Sequence, residues 1–140
     1  MSSIIKDNRS IIPACDVDIE KFEEIVKETC QIPEIGAYKI SSVLAVYNGL
    51  PKIVETARKY TDKPLIYDHQ KAGTDIPSTG KEFTAIIKKS GIDALIIFPL
   101  TGPASQHFWI SSAKEIGLPI IVGGHMTHEK YVSSEGGYID

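Results

Sequence analysis

The sequence predicts an α/β protein with a parallel sheet, because short apolar runs alternate with helical patterns along its 140 residues. Five such units follow one another, with starts spaced by roughly 25 to 30 residues. Two architectures fit this repeat. One is a doubly wound open sheet of five strands, and the other is part of a (β/α)8 barrel, which usually needs about 200 residues or more. In both, functional groups lie at the carboxyl ends of the strands.

Each strand and helix can be placed along the chain. The strands are predicted at residues 10–15, 35–40, 64–68, 93–98 and 118–122. The four helical faces are predicted from residues that recur at helical spacing, namely Ile19, Phe22, Val26 and Thr29; Leu50, Ile53, Val54 and Ala57; Phe83, Ile86 and Ile87; and Trp109, Ser112, Ala113 and Ile116. Asp18 is placed to cap the first helix, and Pro51 is tolerable in the first turn of the second.

Composition limits the classes of function. The net charge of -3 and the pI of about 5.8 give no reason to expect binding to nucleic acid or to a membrane. No apolar run approaches the length of a membrane span, and the N-terminus lacks the apolar core of a signal peptide, so a cytoplasmic location is expected. The length suits one domain, residues 1–140. Cys15 and Cys30 are interpreted as packing residues rather than as disulfide partners.

Charged side chains follow several of the predicted strands. They are Asp16, Lys39, Asp68, Lys71 and His125. The third strand is the richest, since Asp68, Lys71 and Asp75 lie within eight residues. A lysine between two carboxylates keeps its positive charge, which suits a proton donor. With its charge suppressed, Lys71 would suit a Schiff-base nucleophile instead. A solvated loop with a surface ion pair is the structural alternative.

The remaining motifs in the sequence give little support for a nucleotide-binding or metal-binding site. Residues 14–17 contain no glycine, so a Rossmann nucleotide site is poorly supported. His125 and His128 have an HxxH spacing without accompanying acids, and no metal site is predicted there. His69 and His107 are isolated in the sequence, so each is expected to be a hydrogen-bonded or surface histidine.

Several segments, in the right order, resemble the orotidine 5'-monophosphate decarboxylase superfamily. Residues 14–17 resemble its acid-ended first strand, and residues 38–40 resemble its lysine-bearing second strand. Asp68, Lys71, residues 75–77 and Thr79 resemble its third-strand motif, DxKxxD followed by IPxT. Residues 126–128 resemble the segment after strand five that contacts the pyrimidine.

This resemblance implies a (β/α)8 TIM barrel, of which the chain covers about five βα units as the N-terminal part of a decarboxylase-like domain. It implies a carboxy-lyase of pyrimidine (UMP) biosynthesis that acts on a phosphorylated pyrimidine nucleotide. It further implies a homodimer that needs no metal ion and no organic cofactor.

The resemblance also assigns the catalytic roles. Lys71 would protonate C6 of the pyrimidine as carbon dioxide leaves. Asp68 would lie against the substrate carboxylate and destabilise it relative to the transition state. Asp75 would reach into the site of the neighbouring subunit, so that the active site needs a dimer.

Four further residues are implied to bind the substrate. Lys39 and Asp16 would hold the ribose hydroxyls and complete an alternating charge network. Thr79 would contact the ligand near Asp75, and Thr127 would recognise the edge of the pyrimidine.

The chain departs from the superfamily pattern in two ways. The spacing from Asp68 to Lys71 is three positions rather than two, and from Lys71 to Asp75 it is four rather than three, so a bulge or wider turn must absorb two residues. Ser41 also replaces the usual glycine. In addition, the barrel units that normally hold the phosphate are not covered. We expect the chain to be part of a longer protein rather than to close by pairing with another chain.

Two other functions remain open from the sequence. The first is a magnesium-dependent decarboxylase or aldolase of sugar phosphates from the same superfamily, although these enzymes usually carry a metal-binding glutamate where Lys39 stands. The second is a non-catalytic binding or scaffold protein on the same fold, which the altered spacing favours.

Overall fold

The computed structural model describes residues 4–5 and 9–139, and it contains one parallel sheet of five strands. The strands are β1 (Ala14–Cys15), β2 (Tyr38–Ser41), β3 (Leu65–Asp68), β4 (Ala94–Ile97) and β5 (Ile120–Val122). Their order in the sheet follows the chain from β1 to β5, and every neighbouring pair is parallel. A doubly wound sheet would reverse its strand order at a switch point. The sequential order is therefore that of a partial TIM barrel.

In the described part of the chain, five α-helices connect these strands. They are α1 (Ile19–Thr29), α2 (Ser42–Asn48), α3 (Leu50–Arg58), α4 (Thr79–Lys89) and α5 (Pro103–Glu115), and a 3-10 turn covers Ser133–Glu135. Asp18 caps α1 as predicted, since its carboxylate accepts a hydrogen bond from the backbone N–H of Lys21 at 2.7 Å. Pro51 lies in the first turn of α3, also as predicted.

The sequence did not predict α2. Ser41 caps this short helix through its Oγ, which accepts a hydrogen bond from the N–H of Leu44 at 3.1 Å. Leu44 is buried, whereas Val43, Val46 and Tyr47 are exposed. The apolar residues therefore surround the helix instead of forming one buried face, so no helical periodicity marks it in the sequence.

The two faces of the sheet carry different residues because successive strand residues point to opposite sides. Leu65 and Tyr67 of β3 belong to the large core between the sheet and the helices. Ile66 belongs to a smaller cluster on the other face, with Ala37 and Ala94. Asp68 follows Ile66 in this alternation, and the inner face of the sheet therefore receives its carboxylate.

The first strand of the sheet is shorter than the sequence predicted. The first strand was expected at residues 10–15, but β1 has two residues, and Ile11 forms only an isolated bridge with Ile35. Pro13 has no N–H to donate to a ladder, which explains the interruption.

Cys15 is buried as expected, and burial raises the pKa of its thiol to about 11. No helix in the described part of the chain is long and apolar enough to cross a bilayer.

Candidate active site

An ion pair lies where β2 and β3 present their carboxyl ends. Nζ of Lys39 donates a hydrogen bond to Oδ2 of Asp68 at 2.6 Å. The two residues come from adjacent parallel strands, in which Ser41 pairs with Asp68 and Lys39 pairs with Ile66. Asp68 is only 8 % exposed, whereas the side chain of Lys39 retains 31 % of its exposure. The ammonium group can therefore be reached from solvent beside a buried carboxylate.

The second oxygen of this carboxylate has no protein partner. Oδ1 of Asp68 is buried, and no described residue donates a hydrogen bond to it. A buried acceptor without a donor is unfavourable, and in native proteins it is uncommon outside functional sites. Oδ1 is therefore the atom of the Lys39–Asp68 pair that is left to face a bound ligand or water.

The two extra residues after β3 are absorbed by a pair of overlapping turns. The N–H of Ala72 donates to the carbonyl of His69 at 2.8 Å, and the N–H of Thr74 donates to the carbonyl of Lys71 at 3.0 Å. The Thr74 hydroxyl donates to the same Lys71 carbonyl. Ala72 is buried in the main core, and Gly73 has a φ of +81°. The widened motif thus forms an ordered turn, and β3 keeps an unbroken ladder.

The segment from residue 69 to residue 76, hereafter the 69–76 loop, is held by the connection between β4 and α5. The carbonyl of Ala72 accepts a hydrogen bond from the N–H of Phe98 at 2.9 Å. The hydroxyl of Thr101 donates to the carbonyl of Gly73 at 3.0 Å, and the hydroxyl of Ser105 donates to the carbonyl of Asp75 at 2.7 Å. The loop is therefore fixed through its backbone.

Lys71 and Asp75 are both exposed on this loop. The carboxylate of Asp75 accepts a hydrogen bond from the N–H of Ile76 at 2.7 Å. In the described part of the chain, neither Lys71 nor Asp75 forms an ion pair. Among the described residues of one chain, the alternating charge network therefore consists of the Lys39–Asp68 ion pair alone. The roles of Lys71, Asp68 and Asp75 stay predictions.

The remaining candidate residues lie at the same ends of their strands. Asp16 is exposed directly after β1, whose Ala14 pairs with Lys39. Thr79 begins α4 and donates its hydroxyl to the carbonyl of Ile76 at 2.8 Å. Thr127 is exposed in the segment after β5, where residues 125–130 line an open depression of about 530 Å³. No hydrogen bond joins Thr127 to the Lys39–Asp68 pair in the described residues, and its binding role also stays a prediction.

The side chain of His69 makes more specific contacts than its isolated position in the sequence indicated. Nδ1 of His69 lies 2.7 Å from the hydroxyl of Tyr67. Its ring lies between those of Tyr67 and Phe83, with both centroid distances at 5.2 Å, and Phe83 in turn contacts Trp109. Burial lowers the pKa of His69, the charge of Lys71 lowers it further, and Asp68 opposes both. The expected hydrogen-bonded histidine is confirmed, and it anchors the start of the 69–76 loop.

The described residues offer little to a metal ion. Across residues 4–5 and 9–139, no three side chains of His, Cys, Asp or Glu lie close enough together to hold one. At the third strand, the ammonium of Lys39 occupies the direction in which a cation would approach Oδ2 of Asp68. A divalent cation does not fit this set of residues.

Solved structures similar to this chain include orotidine 5'-phosphate decarboxylases. The enzyme from Methanocaldococcus jannaschii in complex with the inhibitor BMP matches with a TM-score of 0.77 and 26 % identity, over 91 % of this chain and 57 % of that chain. The same enzyme in another structure matches with a TM-score of 0.72 and 26 % identity, over 91 % and 60 %. The resemblance to the orotidine 5'-monophosphate decarboxylase superfamily is confirmed.

The likeness to this superfamily is a partial one. The enzyme from Pyrococcus horikoshii OT3 matches with a TM-score of 0.64 and 26 % identity, over 84 % of this chain and 52 % of that chain. The chain thus spans between 52 and 60 % of the length of these three decarboxylase chains. No protein-family model matches the sequence, and no curated protein does.

Proposed function

We propose that this chain carries the catalytic strands of a metal-free decarboxylase that acts on a pyrimidine nucleotide of the orotidine 5'-monophosphate type. The observation that carries the proposal is the Lys39–Asp68 pair, in which one oxygen of a buried carboxylate has no hydrogen-bond partner among the described residues. Residues 1–140 would be the N-terminal part of the barrel domain. The similarity to a decarboxylase in complex with the inhibitor BMP supports a nucleotide-like ligand.

In the proposed reaction, Asp68 acts on the substrate before the bond breaks. Its buried Oδ1 would face the substrate carboxylate, and two negative groups in a poorly hydrated site repel each other. As carbon dioxide leaves, the negative charge of the substrate moves from the carboxylate to C6, so the repulsion with Asp68 falls in the transition state. Lys39 neutralises the other oxygen of Asp68 and keeps the charged carboxylate in place.

Lys71 would supply the proton. The bond from C6 to the carboxylate carbon breaks, its electron pair stays on C6, and a proton from Nζ of Lys71 forms the new C6–H bond. Solvent then returns a proton to Lys71, which is accessible because the residue is exposed. Lys71 has to turn from solvent toward Asp68 for this step, and the bound substrate would provide the negative charge that attracts it.

The binding roles are proposed from the resemblance together with the position of each residue. Asp16 and Lys39 would hold the ribose hydroxyls at neighbouring strand ends. Thr79 would contact the ligand, and Thr127 would recognise the pyrimidine edge. Asp75 is exposed and has no ion pair in the described chain, which agrees with a carboxylate that acts in the site of a second subunit of a homodimer.

A second candidate is a non-catalytic binding protein on the same fold. The observation in its favour is that Lys71 and Asp75 are exposed on a widened loop and form no ion pair in the described chain. Such a protein would keep the Lys39–Asp68 pair as a binding feature only. It would bind a phosphorylated pyrimidine without turnover.

The decisive experiment measures binding and turnover on the natural protein at full length. Heat release on titration with UMP gives binding, and the loss of orotidine 5'-monophosphate gives turnover. Lys71→Ala is expected to abolish turnover while UMP still binds, and Lys81→Ala, an exposed lysine on α4, is the control that keeps full activity. Turnover of Lys71→Ala within threefold of the unaltered protein would refute the proton-donor role. Binding without any turnover in the unaltered protein would establish the second candidate.

A further inference from the structure

The backbone of the 69–76 loop is held at Asp75 by two hydroxyl groups from a distant part of the chain. Ser105 is only 2 % exposed, and its Oγ donates to the carbonyl of Asp75 at 2.7 Å. The Thr101 hydroxyl lies 3.0 Å from the carbonyl of Gly73 and 3.3 Å from that of Asp75. Both donors belong to the segment that begins α5, so they connect the fourth βα unit to the third-strand motif.

We propose that Ser105 and Thr101 are positioning residues that fix the direction in which Asp75 presents its carboxylate. The proposal rests on the proposed function for Asp75 itself. The side chain of Asp75 is exposed, and its carboxylate accepts a hydrogen bond from the N–H of the next residue, Ile76, so its direction depends on the peptide groups on either side. The Ser105 hydroxyl binds the carbonyl of this same residue and prevents the following peptide plane from rotating.

The altered spacing makes this arrangement necessary. The two residues added to the DxKxxD pattern lengthen the connection from β3, and a longer loop samples more conformations unless contacts restrict it. Ala72 anchors the first half, because it is buried and its carbonyl accepts a hydrogen bond from Phe98. The hydroxyls of Thr101 and Ser105 anchor the second half. Together these bonds replace the geometry that the shorter motif obtains from its length.

A positioning role predicts a pattern of effects different from that of a packing role. A displaced carboxylate weakens catalysis even where the substrate still binds, because reacting groups must be placed to within a fraction of an ångström. The chain also offers a matched control on the same helix. Ser112 is buried on α5, and among the described residues it makes no hydrogen bond to the 69–76 loop.

The test compares Ser105→Ala with Ser112→Ala in the natural protein at full length. Ser105→Ala is expected to lower kcat by about tenfold to a hundredfold, with KM changed by less than about threefold. Amide hydrogen exchange within the 69–76 loop should become faster in Ser105→Ala but not in Ser112→Ala. Thr101→Val should act in the same direction, and Thr101→Ser, which keeps the hydroxyl, should restore the original kinetics.

The outcomes separate this proposal from the proposed function. If the unaltered protein shows neither UMP binding nor turnover, the proposed function fails, and exchange within the loop still decides whether the two hydroxyls hold it. If the unaltered protein is active and Ser105→Ala matches Ser112→Ala in kcat and in exchange, the positioning role is wrong. Equal losses in both serine variants would also overturn it, since they would indicate packing of α5 as the cause.

Discussion

Replacement of Lys39 by methionine tests the central ion pair. Methionine keeps an unbranched side chain of similar length but removes the ammonium group whose hydrogen bond Oδ2 of Asp68 accepts at 2.6 Å. The carboxylate would then have no partner on either oxygen, because Oδ1 already lacks one among the described residues. We expect Lys39→Met to destabilise the fold well beyond what a surface ion pair contributes.

The magnitude follows from burial. Breaking a fully buried ion pair costs about 3–5 kcal/mol, because the remaining charge is left uncompensated. Here the side chains are 31 % and 10 % exposed, so solvent screens part of the interaction. A loss of about 2 kcal/mol is expected after this discount. With an unfolding entropy of about 2.1 cal/mol/K per residue, that loss lowers Tm by about 7 °C for a chain of this size.

The measurement is thermal unfolding of the variant beside two controls. Lys52→Met removes an exposed ion pair with Glu55, whose side chains are 56 % and 67 % exposed, and it should barely change Tm. The double variant Lys39→Met with Asp68→Asn should regain part of the lost stability, since no buried charge remains. If Lys39→Met were no more destabilising than Lys52→Met, the account of Asp68 as a buried, compensated carboxylate would be refuted.

Two further predictions concern the 69–76 loop. Burial and Lys71 hold the pKa of His69 below its ordinary value in the folded state, so the unfolded chain binds more protons and stability falls as the pH drops below about 6.5. The Tm of His69→Gln should therefore fall less between about pH 7.5 and pH 5.5 than the Tm of the unaltered protein. His107→Gln, at an exposed histidine, is the control. An equal fall of Tm in all three proteins would contradict this prediction. Gly73→Ala should cost about 1–3 kcal/mol more in denaturant unfolding than Gly117→Ala. Both glycines have positive φ. An added Cβ at Gly73 would lie 3.2 Å from Cα of Pro99, whereas an added Cβ at Gly117 would meet nothing within 4 Å. Equal losses of stability in the two variants would therefore disprove the close contact with Pro99.

Local patterns in the sequence were sufficient to predict most of the strands and helices of the fold. The Asp18 cap, Pro51 in the first turn of α3 and the apolar run at residues 93–98 each depend on neighbours within one or two turns of chain. The choice between an open doubly wound sheet and a barrel could not be made from such patterns, since it depends on strand order. The resemblance supplied that choice, and the sequential order of β1 to β5 confirmed it.

The candidate site was predictable where it follows strand ends. Lys39 and Asp68 were expected as members of one charge network, and their contact depends on the register of β2 and β3. The hydroxyls that hold the 69–76 loop could not be predicted, because Ser105 lies 30 residues from Asp75 and serine is common in helices of every kind. Helix α2 was also unpredictable, since Val43, Val46 and Tyr47 show no buried face.

The sequential strand order has a consequence for the way the site is assembled. Each βα unit pairs with the unit made just before it, so during synthesis every new strand finds its partner already present. Both residues of the Lys39–Asp68 pair have been synthesised once β3 is complete. The hydroxyls of Thr101 and Ser105, which hold the loop at Gly73 and Asp75, are synthesised only with the segment that begins α5. The residues of the charge pair are thus made before the residues that hold the neighbouring loop.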